Sequence, residues 1–162
     1  MITLEALAAV ILSLTAVTPI ESAEERATRA SSIATDILHA TGGERGMTGA
    51  LVGVAWHETN FHPDVDLGRC ALHPKWCDGG HAVTLWQIHT RDHVLFEQLR
   101  TDRSAAAELA AKRIRSSFKA CAKYDRVFWM VEYAVGLGCE SLTGRAISPI
   151  LMSYIDRAVA KL

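Results

Sequence analysis

Residues 51 to 65 read LVGVAWHETNFHPDV, an apolar helical run that reaches a carboxylate at Glu58 and then breaks at Pro63. Val52, Trp56 and Thr59 keep helical spacing, and Val54, Ala55, Trp56 and Phe61 offer an apolar wall. Pro63 disfavours helical torsions at His62, which predicts a helix end near Asn60 and places Glu58 in the last turn. The negative end of the helix and desolvation by Trp56 and Phe61 both favour the protonated carboxyl that a general acid needs. By default a glutamate at the end of an amphipathic helix is a solvated surface group, so the case for Glu58 rests on the residues around it and downstream.

Read as E-T-N-F-H-P-D-V, residues 58 to 65 resemble the E-S-x-F-x-P-x-A signature of soluble lytic transglycosylase-type domains of the lysozyme-like superfamily. Leu85-Trp86-Gln87-Ile88 is similar to the G-L-M-Q-I segment that crosses the sugar-binding cleft of that family. Glu132-Tyr133-Ala134-Val135-Gly136 is similar to its A-Y-N-A-G. Each motif alone is weak; their order and spacing are more specific, and the resemblance covers about residues 45 to 145.

A chain of 162 residues suits one domain with a single core. With 17 basic against 18 acidic side chains it lacks the basic excess of a general nucleic-acid binder. Abundant alanine and few aromatics suit a mostly helical protein. Together with the resemblance this sets the expected fold as mainly α, a lysozyme-like helical domain with a long cleft-lining loop or small β-hairpin. Residues 45–162 form that domain, and residues 1–44 a helical segment packing on it.

The first 20 residues, MITLEALAAVILSLTAVTPI, admit three readings. A secretory signal would need a basic start and a clear small-x-small cleavage site, neither of which is present. A membrane span is disfavoured by Glu5 and several hydroxyl residues, so no stable span is expected. The preferred reading is a core helix with Ile2, Leu7, Val10, Ile11, Leu14 and Val17 on its inner face, Thr18-Pro19 ending it and beginning another. From Ile20 to Ala40, Ala27, Ala30, Ile33, Ala34, Ile37 and Leu38 supply an inner face, and Glu24, Glu25, Arg26 and Arg29 a solvated one. Thr41-Gly42-Gly43 stops that helix, and Thr48 is the expected cap of the next.

Residues 62 to 84 form a long excursion rich in Pro, Gly, Asp and His. A Cys70–Cys77 disulfide would tie it, contributing about 2 kcal/mol. Two free thiols, or a zinc site from Cys70, His73, Cys77 and His81, are the rival readings, the zinc spacing being uncommon. His57 and His62 lie five apart, not at the H-E-x-x-H spacing of a zinc-protease helix. No metal or cofactor is therefore expected.

Ser104 to Tyr124 predicts a strong helix with Leu109, Ile114, Phe118 and Cys121 inward and Lys112, Arg113 and Arg115 outward. The basic cluster reads first as a solvated face, with attraction to an anionic cell-wall polymer as the functional alternative. A further helix is expected over about Arg126 to Val135, and Ser148-Pro149 as cap and first residue of a final one. If residues 126 to 135 are continuous helix, about 15 Å of travel carries Cys139 away from Cys121, so their pairing needs a steep crossing or a longer turn.

The resemblance implies cleavage of the β-1,4 bond between N-acetylmuramic acid and N-acetylglucosamine in peptidoglycan glycan strands, with Glu58 as general acid. In a lytic transglycosylase Glu58 then acts as base and a 1,6-anhydromuramoyl product forms without a second protein carboxylate. In a lysozyme-type hydrolase a second carboxylate takes part. Ala82-Val83-Thr84 lacks the aspartate that animal-type lysozymes carry there, which favours the transglycosylase, with Asp64, Asp66 and Asp78 as the remaining candidates for a hydrolase. Gln87, Tyr133, Thr84 and Thr59 are the expected substrate-binding residues, and Trp86 reads as core before sugar platform. Thr59 stands where the family has serine and Ala134 where it has asparagine. These departures keep a non-catalytic peptidoglycan-binding or virion structural module as a second class. Paired cysteines suit a periplasmic, secreted or phage-particle setting.

Overall fold

In the computed structural model, residues 2–69 and 82–162 are described. The protein is mainly α-helical with one small antiparallel hairpin. In chain order the elements are α1 (Leu4–Leu14), α2 (Ala23–Thr41), α3 (Arg45–Thr59), α4 (Pro63–Asp66), β1 (Ala82–Val83), β2 (Ile88–His89), α5 (His93–Thr101), α6 (Arg103–Ala120), α7 (Val131–Val135) and α8 (Leu142–Lys161). A single 3₁₀ turn over Arg126–Phe128 precedes α7. The Cys70–Cys77 disulfide, its zinc rival and Asp78 all fall outside the described residues.

The core is built around α3. Every residue from Met47 to Ala55 is buried, which is what a helix apolar on all sides requires. It packs most extensively on α8, with α2 and α6 on other sides. Leu7 and Ile11 of α1, and Ala30, Ile33, Ala34 and Ile37 of α2, join the same buried cluster. Among the described residues, no helix is long and apolar enough to cross a membrane.

Close approach of α3 to α8 depends on two glycines one helical turn apart. A Cβ at Gly53 would lie 2.6 Å from the backbone Cα and N of Ile155, and one at Gly49 would meet the side chain and backbone of Val159. Backbone cannot yield as a side-chain tip can. Gly53→Ala therefore gains about 1 kcal/mol of helix propensity and loses about 3 kcal/mol to overpacking. The expected result is a net destabilisation of about 2 kcal/mol, read as a lower urea midpoint with unchanged m; an unchanged or higher midpoint would refute the tight contact.

Several local expectations are corrected. Helix α1 stops at Leu14, and α2 starts after Ser22, whose side chain and that of Glu25 form a reciprocal capping box. Thr18-Pro19 thus sits between helices, and Val17, expected inward, is exposed. Ala27 is exposed and Arg29 buried, the reverse of the expected faces. Thr48 is not a cap, since α3 begins three residues earlier; it is buried inside the helix with its hydroxyl 2.9 Å from that of Thr41.

The segment from 126 to 135 is a 3₁₀ turn followed by a five-residue helix ending at Gly136, whose φ is 62°. It is not one continuous helix, so the chain folds back early. Cys121 and Cys139 accordingly form a disulfide with Cα atoms 5.5 Å apart, closing the distance that a straight helix would have opened. Likewise Ser141, not Ser148, caps α8, and Pro149 lies inside it. Ser148 is buried: its hydroxyl donates to the Val127 carbonyl at 2.7 Å and accepts from the Met130 N–H at 3.1 Å, bracing the 3₁₀ turn.

Candidate active site

Glu58 occupies the last turn of α3, as expected from Pro63. Asn60 caps the helix in the left-handed region with φ 48°, Phe61 follows at φ 54°, and His62 is extended before Pro63 opens α4. Two successive non-glycine residues in that region are costly, of order 1–3 kcal/mol each. Tertiary contacts hold them: Phe61 is fully buried and its carbonyl accepts from Arg29 Nη1 at 2.9 Å. The side chain of Glu58 is about one quarter exposed, with Oε1 lying 3.3 Å from His57 Nδ1.

A second turn faces it. Thr84 to Gln87 link β1 to β2, with Thr84 at φ 72° and Gln87 at φ 45°. Among the described residues, the non-glycine residues with positive φ are confined to these two turns. Three hydrogen bonds hold the hairpin turn. Trp86 Nε1 donates to the Leu51 carbonyl at 3.1 Å, Thr59 Oγ1 donates to the Leu85 carbonyl at 3.3 Å, and Tyr133 Oη donates to the Trp86 carbonyl at 2.9 Å. Helices α3 and α7 therefore fix its position relative to Glu58.

Between these elements lies a cleft of about 660 Å³. Glu58 lines it together with Trp86, Gln87 and Ile88 of the hairpin and Glu132, Tyr133 and Ala134 of α7. The three sequence segments singled out above, distant along the chain, thus converge on one cavity. From the other side α6 presents Leu109, Lys112, Arg113 and Ser116. Burial pushes the Tyr133 phenol well above its ordinary range, the Glu58 charge adds to this, and Arg113 opposes it. Gln87 is held by its own loop, its Nε2 donating to the Thr84 carbonyl at 3.0 Å.

Two expected substrate contacts are placed elsewhere. Thr59 is buried and its hydroxyl also donates to the Ala55 carbonyl at 2.9 Å. Thr84 is buried, accepts from the Trp86 N–H at 3.3 Å, and lines a separate cavity beside Asp66. Both brace the cleft without lining it. The apolar wall beside Glu58 also differs from expectation. Trp56 turns toward α8, its ring edge-on to Tyr154 at 4.8 Å with Arg157 above it at 4.7 Å, and Phe61 is in the core. Trp86, Ile88, Leu109 and Ala134 line the cleft instead. Trp86 is 1% exposed, in keeping with a core residue.

Of the acids expected to pair with Glu58, neither described one is among the residues lining the cleft. Asp64 is buried with Arg69 Nε 3.4 Å away, and Asp66 is held by Arg103 and Arg29 beneath α2. Among the described residues, the second carboxylate lining the cleft is Glu132, whose Oε2 accepts the Gly138 N–H at 2.6 Å. It sits within the E-Y-A-V-G segment, at a position for which the family resemblance implies no role. His57 points its ring edge toward Tyr154 at 5.0 Å, while His62 Nδ1 accepts the Asp64 N–H at 3.3 Å to cap α4. No family model, curated protein or solved structure matches the chain.

Proposed function

We propose that the protein is a peptidoglycan lytic transglycosylase with Glu58 as its single acid/base. The observation that carries this reading is the convergence of Glu58, the Trp86-Gln87-Ile88 segment of the hairpin and the Glu132–Gly136 segment on one cleft, with strained backbone on both sides of it. Strain of this kind concentrates where geometry serves chemistry.

In the mechanism, Glu58 gives its proton to the glycosidic oxygen as the bond to the muramoyl C1 breaks, releasing the N-acetylglucosamine O4 as a hydroxyl. Positive charge develops at C1 and the ring oxygen. The muramoyl C6 hydroxyl oxygen then bonds to C1, and its proton passes to the Glu58 carboxylate, restoring the acid. Gln87, with Nε2 committed to Thr84, has its amide oxygen to accept from a sugar hydroxyl. Tyr133 acts as a positioning residue through its hydrogen bond to the Trp86 carbonyl.

Glu132 in the same cleft favours a second reading, a lysozyme-type hydrolase in which it supports the developing charge or the attacking water. The test is mass spectrometry of fragments released from purified peptidoglycan. 1,6-Anhydromuramoyl ends are expected; reducing muramoyl ends would turn attention to Glu132, and no fragments would leave a non-catalytic binding module.

A further inference from the structure

We propose that His57 is the positioning residue of Glu58: its Nδ1–H donates to Oε1 and so confines the exchangeable proton of the carboxyl to Oε2. The inference rests on the transglycosylase reading of the cleft and deepens it, naming which oxygen of the acid gives the proton and takes it back.

Glu58 is among the residues lining the cleft and His57 is not. The 3.3 Å contact between His57 Nδ1 and Glu58 Oε1 therefore reaches the carboxyl from behind the cavity wall. Among the described residues Oε2 makes no hydrogen bond, so it is the oxygen left for a ligand. A contact of this length is of the kind that tightens once substrate closes a site.

The imidazole is held at a fixed angle by α8. The Tyr154 ring lies 5.0 Å from that of His57, edge to face at 80°. Tyr154 is itself wedged, with the Trp56 ring at 4.8 Å and the Arg157 guanidinium 4.2 Å from its centre. Gly53, one helical turn before His57, lets the α3 backbone approach that of α8 at Tyr154 and Ile155. The packing thus turns Nδ1 toward the carboxyl.

The tautomer follows from electrostatics. An ionised carboxylate can only accept, so a neutral imidazole facing it through Nδ1 carries its hydrogen there. When Glu58 is protonated the same N–H still occupies Oε1, and the proton sits on Oε2. The opposite tautomer would set a lone pair against the carboxylate, or draw the carboxyl proton to Oε1 and away from the cleft. In the reaction Oε2–H protonates the glycosidic oxygen as its bond to C1 breaks. Oε2 then regains a proton from the C6 hydroxyl as that oxygen bonds to C1, while His57 exchanges none.

Two measurements test this separately. Ring-nitrogen NMR shifts of His57 in the substrate-free protein, at about pH 8 where an ordinary imidazole is neutral, report the tautomer without turnover. The Nδ1–H form is expected in the wild type, reverting in Glu58→Ala to the Nε2–H form that free neutral histidine prefers. An Nε2–H wild type, or an Nδ1–H form that persists in Glu58→Ala, would overturn the proposal. The second measurement is kinetics on soluble, uncrosslinked peptidoglycan strands. His57→Phe keeps a ring against Tyr154 and loses the donor; kcat should fall about 10–100-fold with KM within about twofold, as a displaced acid group requires. His57→Asn loses the ring but keeps an N–H near the place of Nδ1, and should recover kcat to within about threefold of wild type. Wild-type kcat in the Phe variant, or an Asn variant no faster than it, would remove His57 from the positioning role. The Nδ1–H signature in a protein that cleaves no peptidoglycan would sink the enzymatic reading and leave the hydrogen bond standing. Cleavage by a protein in the Nε2–H form would do the reverse.

Discussion

Glu58→Gln is expected to lower the rate of glycan cleavage by about 10²–10⁴-fold, the range that a positioned general acid contributes. The amide keeps the shape of the side chain and its place in the last turn of α3, but has no proton to give to the glycosidic oxygen. Stability should hardly change, within about 0.5 kcal/mol, because the side chain is about one quarter exposed and its one described partner is His57. The measurement is release of soluble fragments at saturating peptidoglycan together with a urea melt of the same preparation. Loss of cleavage with an unchanged melt supports the acid/base assignment. Retention of more than about a tenth of the activity would remove Glu58 from the chemistry, since a lost general acid costs at least about 10². Glu132→Gln provides the comparison: in the transglycosylase it disturbs the Gly138 loop and slows the reaction only modestly, whereas in a hydrolase it approaches the Glu58 variant.

The parts of this site that could be read from the chain are those set by local rules. Pro63 fixes the end of α3 through its effect on His62, so the placement of Glu58 needs no tertiary information. The mainly helical architecture follows from the apolar periodicity of α2, α3 and α6, and the small hairpin falls on the segment expected to cross the cleft. What escaped depends on which face of a helix meets which neighbour. Lys112 and Arg113 look like any outward basic pair until the hairpin is placed against α6. Glu132 gains significance only when the short α7 turns it toward Glu58. The pairing of Cys121 with Cys139 was obscured because Arg126 to Val135 has helical composition, and only tertiary bracing by Ser148 breaks it into a turn and a short helix. The need for glycine at 49 and 53 becomes visible only when α8 is laid across them.

Arg29 is the most instructive of these cases, because a rule that arginine faces water is overturned by an ion-pair cluster assembled from three helices. It clasps Glu21 through Nε at 2.9 Å and Nη2 at 2.7 Å, and donates to the Phe61 carbonyl. Its Nη1 also lies 3.8 Å from Asp66, whose side chain is fully buried. Arg103 at the start of α6 completes the cluster, reaching Asp66 from Nη1 at 2.8 Å, Asp36 from Nε at 2.6 Å and the hydroxyl of Ser32. The cluster therefore ties α2, α4 and α6 together and pins the strained turn that follows Glu58. Because a buried ion pair owes much of its attraction to offsetting desolvation, its net contribution is small while both partners are present.

Removing one partner is a different matter. Arg103→Met is expected to destabilise the protein by about 3–5 kcal/mol, since it leaves Asp66 buried with only the more distant Arg29. For a chain of this size that lowers the melting temperature by about 10 °C. The deficit should also depend on pH in a definite sense. Burial already pushes the Asp66 carboxyl above its ordinary value of 3.8, with Arg103 and Arg29 pulling it back and the Asp36 charge adding to the rise. Without Arg103 the rise grows. A carboxyl with a raised pKa in the folded state holds a proton that the unfolded chain has already released, so stability is fully present below 3.8 and is lost as pH climbs through the folded value. The gap between wild type and Arg103→Met should therefore narrow as pH is lowered from about 7 toward 5. A gap that is constant or widens toward acid would show that lost packing of the arginine stem, not an orphaned carboxylate, is the cause. Arg103→Met combined with Asp66→Leu supplies the decisive control. If the orphaned charge is responsible, removing it restores most of the stability even though a second native side chain has been lost.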